Sequence, residues 1–510
     1  MKRAKAIIIG HHPLYASLLQ QYEARWSEAV HQPELTVEGV SIDDYDELCL
    51  LSDGDDARAV AMLGELAGAY HVENHGGKRL TCHMLVQSNQ TLRMLQTCDL
   101  CDAVRQKIDV YPFSTDEIGC RSVVLDYEPI TLQSEKHVHL VVFGMGEMAE
   151  MLAIQAAYRA HYPNYVRDHS LRTRITMIAE DATCRYEAFV ARYKHLLDNC
   201  YYRIVKPSEE QAVVDFHHPM YEGKREDFVD VEWEFVESDC SNADMRKKLQ
   251  LWAKDQSQLL TIAMAYQDGD QNVAQALYLP NELYKQHIPI YFYSPVGSIS
   301  SIPSDLPNLH CFGMIDKGYD VTLPLVRMAK NVNYIYDRCY QENIVEASQD
   351  LRFSVEIDAT EREASWARLS NVKRQSNICN AMTIPMKMRS IGLQENDWDK
   401  FYDMSQQDIE LLGQVEHNRW SVEELILGFR PCTDAEQKII AADVAKQKDN
   451  YKARKIHYDL RAYKELKPDK TGRSVQLYDL CLSACLPLIA KAFADEEEPL
   501  GIEKGKGGQS

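Results

Sequence analysis

The sequence contains no run of about 18 apolar residues, the length a helix needs to cross a bilayer. Its most hydrophobic late stretch, residues 480–493, is broken by Ser483, Pro487 and Lys491, so direct membrane insertion is not expected. Positive charge is also scarce. Lys and Arg number 56 against 77 Asp and Glu, leaving a net charge of −21. Such a chain is repelled by nucleic-acid polymers and anionic surfaces unless a local basic face overrides the total. Signatures of common chemistries are missing as well. There is no Gly-x-Ser-x-Gly elbow, no His-Glu-x-x-His, no kinase loop set and no deaminase zinc pattern. What remains is an ordinary globular composition, 45% hydrophobic and 26% charged, which excludes a disordered or collagen-like chain. At 510 residues it is long enough for about three domains.

The 14 cysteines are scattered rather than packed into a short frame. The first six residues lead straight into Ile7-Ile8-Ile9, too short for a secretory core, so reduced thiols in a cytoplasmic protein are expected. Cys98 and Cys101 form a lone Cys-x-x-Cys with no second pair and no His at zinc spacing, so no metal is predicted.

The order of elements repeats. Residues 6–9 form a short apolar run ending at Gly10, and a helical pattern follows over 14–26. The same grammar returns at residues 140–143, ending at Gly144, with a helix from Glu147. Residues 80–89 compare with 259–272, apolar strands that open into polar turns, and 108–114 with 288–294, β-branched and aromatic runs that stop at Ser. Strand alternating with helix implies parallel sheets covered on both faces. The fold class expected is therefore α/β, with two doubly wound Rossmann-like units at 1–132 and 136–342. The second carries an insertion near 200–228. Residues 343–365 read as a connector, 366–493 as a mainly α-helical domain, and the Glu- and Gly-rich end, 494–510, as a disordered tail.

The most specific local signal is Gly144-Met145-Gly146-Glu147-Met148-Ala149, a Gly-x-Gly-x-x-Ala between a strand and a helix. Gly144 allows the sharp turn, Gly146 lets a pyrophosphate approach the backbone, and Ala149 lets helix and strand pack closely. Free N–H groups at the helix start then face the anion. Glu180 and Asp181, ending the next strand, supply acids for a ribose hydroxyl pair, which suits NAD or another adenine nucleotide better than NADP. Glu147 would sit near the phosphates and works against them. The alternative is that the glycines only make a tight turn in an empty fold. In the first unit, Gly10-His11-His12-Pro13-Leu14-Tyr15 puts His12 and Tyr15 where small residues are needed, so that unit is expected to keep the fold without the ligand.

These units resemble TrkA-N (RCK-type) regulatory domains of potassium transport systems. The resemblance rests on the glycine turn, on Glu180-Asp181, and on Asp268-Gly269-Asp270-Gln271-Asn272-Val273, which resembles that family's acidic turn after the fourth strand. It implies nucleotide binding at the strand C-termini, Asp268 included, and assembly as a dimer or larger homo-oligomer.

In the third region, Glu416-His417-Asn418-Arg419-Trp420, followed by Gly428-Phe429, resembles the Glu-His-x-Arg-Trp helix of the RyR domain. Arg374-Gln375-Ser376-Asn377 resembles its Arg-x-Ser-Asn segment. Residues 457–466, with Tyr463, resemble its His-x-x-Leu-x-x-Tyr-x-x-Leu piece, with Ala462 in place of the usual Pro. Trp420 could stack on a base, Arg419 could pair with phosphate, and His417 could donate or accept. Arg374, Ser376 and Asn377 add donors for phosphate or ribose. The competing reading makes Trp420 core and Glu416 and Arg419 a clamp between helices.

The function expected is a nucleotide-sensing regulator. Its small nucleotide ligand occupies the RyR-like module, the second Rossmann-like unit, or both. The output is a separate membrane channel subunit or a stress or phage-defence response. An NAD-dependent oxidoreductase and a ligand-free assembly protein are the alternatives.

Overall fold

In the computed structural model, the described residues are 5–205, 213–219, 227–295, 306–315, 319–341, 356–394, 404–468 and 474–495. Most of the expected connector and nearly all of the tail lie outside them. The chain is a mixed α/β protein with two large sheets built on parallel strands and a helical region that holds one short parallel pair, Arg430–Pro431 with Ile456–His457, as its strand–helix alternation implies.

The first sheet comprises β1 (Lys5–Gly10), β2 (Glu28–Gln32), β3 (Glu47–Leu51), β4 (Leu80–Leu85) and β5 (Ile108–Phe113), in the order β2-β1-β3-β4-β5, all parallel. Helix α1 (Tyr15–Arg25) follows β1, α2 (Asn89–Thr97) follows β4, and α3 (Thr115–Arg121) follows β5. Alternate side chains of β1 serve different cores. Ile7 and Ile9 pack into one apolar cluster, and Ala6 and Ile8 into another on the opposite face. Such double-sided burial is why these strands read as continuous apolar runs.

The second sheet holds eight strands. They are β6 (His137–Phe143), β7 (Thr173–Ala179), β8 (Tyr202–Val205), β9 (Val213–His217), β10 (Val231–Glu237), β11 (Gln258–Met264), β12 (Ile290–Tyr293) and β13 (Leu309–Phe312). Their order is β13-β12-β11-β6-β7-β10-β8-β9. Without β8 and β9 this is the dinucleotide-binding order 3-2-1-4-5-6. The insertion near residues 200–228 adds β8, parallel to β10, and β9, antiparallel to β8, at the sheet edge. Helix α4 (Glu147–Ala157) follows β6, α5 (Ala182–Arg192) follows β7, and α6 (Gly269–Leu277) follows β11. Val138, Leu140 and Val142 of β6 face one core, Val141 and Phe143 the other.

The helical region is built around α7 (Pro324–Gln341), α8 (Ala359–Arg368), α9 (Asn371–Ser390), α10 (Gln406–Ile426) and α11 (Gln476–Ala484). Helix α10 starts with a capping box in which Ser405 and Asp408 satisfy each other's backbone amides. It is buried nearly all round, so it shows no amphipathic stripe. Helix α7, placed with the second unit by the sequence division, packs into the helical core: Ala329, Val332 and Ile335 meet Trp366, Ile384 and Leu412. The second sheet's core in turn runs on into Val422, Leu425, Ile426 and Phe429. The sequence-defined regions therefore interlock. Among the described residues no single helix is long and apolar enough to cross a membrane.

Candidate functional site

In both sheets a positive-φ glycine stands at the end of the first strand, where strand order reverses: Gly10 is the last residue of β1, and Gly144 follows β6 directly. Gly10 has φ +98° and Gly144 φ +117°. A Cβ on Gly10 would lie 2.2 Å from the Leu51 carbonyl oxygen, and one on Gly144 would lie 2.9 Å from that of Ala265. Folding alone demands glycine at both positions.

Beyond that residue the turns diverge. In the first unit the His12 ring is buried, and its Nδ1 accepts the Leu14 N–H at 3.2 Å, so a side chain occupies the helix start. Burial pushes this histidine below its ordinary pKa, which keeps the ring available as an acceptor. In the second unit, Gly146 is the residue before α4, and no side chain caps that helix. A Cβ at Gly146 would meet nothing closer than 3.7 Å, and its φ of −81° is open to any residue. Folding does not require glycine there. Ala149 is fully buried under the turn, as its small size allows.

Gly146 opens into a cleft of about 340 Å³ between units. One wall is α4 and α5 of the second sheet; the opposite wall is α2 of the first. Arg93 on α2 donates to the Tyr193 hydroxyl at 3.0 Å and to the Ile426 carbonyl at 3.4 Å, so one guanidinium ties all three regions at the cleft. Arg192 pairs with Glu150 at 2.5 Å, and that bond raises the guanidinium's pKa. Tyr193 also donates to Glu150, at 2.8 Å. Arg185 lines the same space and pairs with Asp181 at 2.7 Å. Cations, an uncapped helix start and the carboxylates of Glu147 and Glu150 thus share one opening. Sequence reading missed Arg93, Glu150, Arg192 and Tyr193. Nothing in a linear pattern marks Arg93, because its partners lie 100 and 333 residues away.

The expected ribose acids, Glu180 and Asp181, follow β7 beside the glycine turn and are exposed. Asp268 has a local task. Its carboxylate accepts the Asp270 and Gln271 amides and so caps α6. Buried Asn272 fastens the same loop by bonding the Tyr266 backbone and the Tyr293 carbonyl.

The residues expected to form a pocket in the helical region are distributed differently. Glu416, Arg419, Glu423 and Lys387 are buried together. Arg419 bonds both oxygens of Glu416 at 3.0–3.1 Å and Glu423 at 2.7 Å. Lys387 bonds Glu416 at 2.5 Å, and Ser376 donates to Glu423 at 3.0 Å. Burial disfavours the Glu416 carboxylate, yet the two cations hold its pKa far below the ordinary range. The guanidinium nominated for phosphate is thus bound to protein carboxylates. His417 bonds the Arg461 carbonyl at 2.8 Å and faces Asp479 at 3.5 Å. Burial opposes its charge, and Asp479 overcomes that and raises its pKa. Trp420 sits edge-on to His457 at 4.8 Å, and Tyr463 edge-on to His417 at 5.7 Å, both as packing partners. Asn377 points toward Asn333, and Arg374 faces Asp109 of the first unit. The nominated set therefore does not converge on one opening. Among the described residues no group of three or more His, Cys, Asp or Glu could hold a metal ion.

No protein-family model and no curated protein matches the chain. A solved structure reported for the pyruvate reductase of Chlamydomonas reinhardtii aligns over 77% of this chain and 98% of its own, at 13% identity and a TM-score of 0.17. A score that low carries no argument about fold or activity.

Proposed function

We propose that the protein is a nucleotide-responsive regulator whose ligand, NAD or another adenine nucleotide, binds in the cleft at the Gly144–Ala149 turn. The observation that carries this reading is the contrast at Gly146. The fold leaves that position free to hold a side chain, whereas a pyrophosphate against the α4 amides does not. Glu180 and Asp181 then take the ribose side. Arg93 and Arg192 supply the charge that offsets Glu147 and Glu150. The opposite wall of the cleft belongs to another unit, so a bound anion and Arg93 together change how the first sheet and the helical region seat on the second. Coupling of this kind requires only that the ligand prefer one arrangement. The resemblance to potassium-system domains supports two further parts of the proposal: assembly of several copies, and an output through a channel on another chain or through a stress or phage-defence response.

Thermal unfolding against NAD(H), ATP, ADP, ADP-ribose and cyclic nucleotides tests this. A ligand at about 100 times its Kd adds about 2.7 kcal/mol of stability. A shift with one adenine nucleotide, lost in Gly146→Val, is expected. No shift with any compound favours a ligand-free assembly protein. Substrate-dependent loss of NADH absorbance favours an oxidoreductase.

A further inference from the structure

A second cavity, of about 350 Å³, abuts the nucleotide cleft, and Gln96 and Glu117 line both. The wall between them is a closed hydrogen-bonded set. Glu117 accepts from Gln96 at 3.2 Å and from Gln155 at 3.1 Å and forms an ion pair with Arg121 at 2.9 Å, and Arg121 donates to Gln155 at 3.1 Å. This chamber lies where β5 ends, between the first sheet, the start of α7, and α8 and α9. Its walls are flat and aromatic. Phe113 and Tyr319 stack at 3.6 Å with an interplanar angle of 12°, and Trp366 and Tyr111 contribute further rings. Leu325 and Ile378 supply the aliphatic surface.

The chamber's lining carries two acids, Glu117 and Asp320, and two guanidiniums, Arg121 and Arg374. Arg121 is matched by Glu117. Arg374 faces Asp109 at only 3.5 Å, and Asp109 is already paired with Arg79 at 2.8 Å. Two guanidiniums therefore share one carboxylate, and Arg374 also donates to the Trp366 carbonyl at 3.2 Å. The Nε–H of Arg374 is buried and has no hydrogen-bond partner, a cost that native proteins usually avoid. Its guanidinium carbon lies 5.5 Å from the Trp366 ring centre, so the cation sits beside an aromatic plate.

The geometry points to a second small-molecule site, distinct from the nucleotide cleft, that takes a planar aromatic carrying one carboxylate, with the ring between Phe113 and Trp366 and the anion on Arg374. An apolar slot with one placed charge is the usual form of such sites. A carboxylate would take the Nε–H that Arg374 leaves unmet. The glutamate and glutamine wall separates the two compartments, so occupancy of one need not require the other.

Isothermal titration of the full chain with 2-naphthoate and with the neutral 2-naphthalenemethanol tests the assignment. One saturable site is expected, with the acid bound about tenfold more tightly than the alcohol. Arg374→Met should bring the two affinities together while leaving the alcohol's unchanged. Ile378→Trp or Leu325→Trp, each filling the chamber from a different wall, should abolish both. Gly146→Val should change neither, which separates this site from the cleft. Equal affinities in the unmodified protein, no saturable binding, or naphthoate binding undiminished in a folded filling variant overturns the proposal.

Discussion

Two motifs in this chain carry the residues of anion recognition, and the fold uses them in opposite ways. At the Gly144–Ala149 turn, an uncapped helix start faces a cleft. Around Arg419, a stronger cation is enclosed with Glu416, Glu423 and Lys387, all within 3% of full burial. The difference is one of supply. Backbone N–H groups at a helix start have no partner built into their own helix. Arg419 carries acids at three residues before it and four after it, both on its own helical face. A motif's donors reach a ligand only where its neighbours leave them unmet.

The largest effect expected from that contrast is on stability. Arg419→Met leaves two carboxylates buried beside a single lysine and should cost about 3–5 kcal/mol, read as a fall in the urea midpoint. Replacing Lys387, Glu416, Arg419 and Glu423 together by Met or Leu should recover most of that loss, since desolvation of the set is then avoided. If the single variant is as stable as the parent, the cluster is not the clamp its geometry describes.

Next in size is a pH effect on the same helix. Glu424 is buried beside the cluster, and its Oε2 has no hydrogen-bond partner. Burial raises its pKa from 4.5 to about 7. The folded form therefore keeps a proton that the unfolded chain releases above about 4.5, and stability falls as pH rises from there to about 7. Glu416 behaves inversely. Its pKa is depressed, so its contribution is present above 4.5 and is lost as pH falls below that value. Glu424→Gln should remove the decline between pH 4.5 and 7 and stabilise the protein at pH 8 by about 2–3 kcal/mol. Urea midpoints across pH check this, and an unchanged slope would show that Glu424 is ionised in place.

The parallel sheets were legible because period, β-branching and burial coincide in strands such as 137–143, and the two glycine turns mark the strand ends. Even the edge insertion announced itself as extra length. The order β2-β1-β3-β4-β5 in the first sheet was not legible, because a strand's own pattern does not name its neighbour. The site was half legible. Gly146 could be found from spacing, whereas Arg93 and Arg374 acquire meaning only from partners in other regions. The Arg419 helix displayed the right residue types, but sequence does not say whether a charged group faces a ligand or another charge.

The smallest stability effect should carry the largest functional one. Gly146→Val adds side-chain atoms where the nearest neighbours are the Gln267 Cγ and Nε2, each 3.7 Å from where the new Cβ would lie, so the unliganded protein should lose less than about 1 kcal/mol. The added branch would stand over the α4 amides, and the thermal shift given by an adenine nucleotide should vanish. The matching change in the first unit is His12→Gly. It removes the ring that accepts the Leu14 amide, should cost about 1 kcal/mol, and should leave the nucleotide-dependent shift intact. If instead His12→Gly abolishes the shift and Gly146→Val does not, the two turns have been assigned the wrong way round, and the ligand belongs to the first sheet.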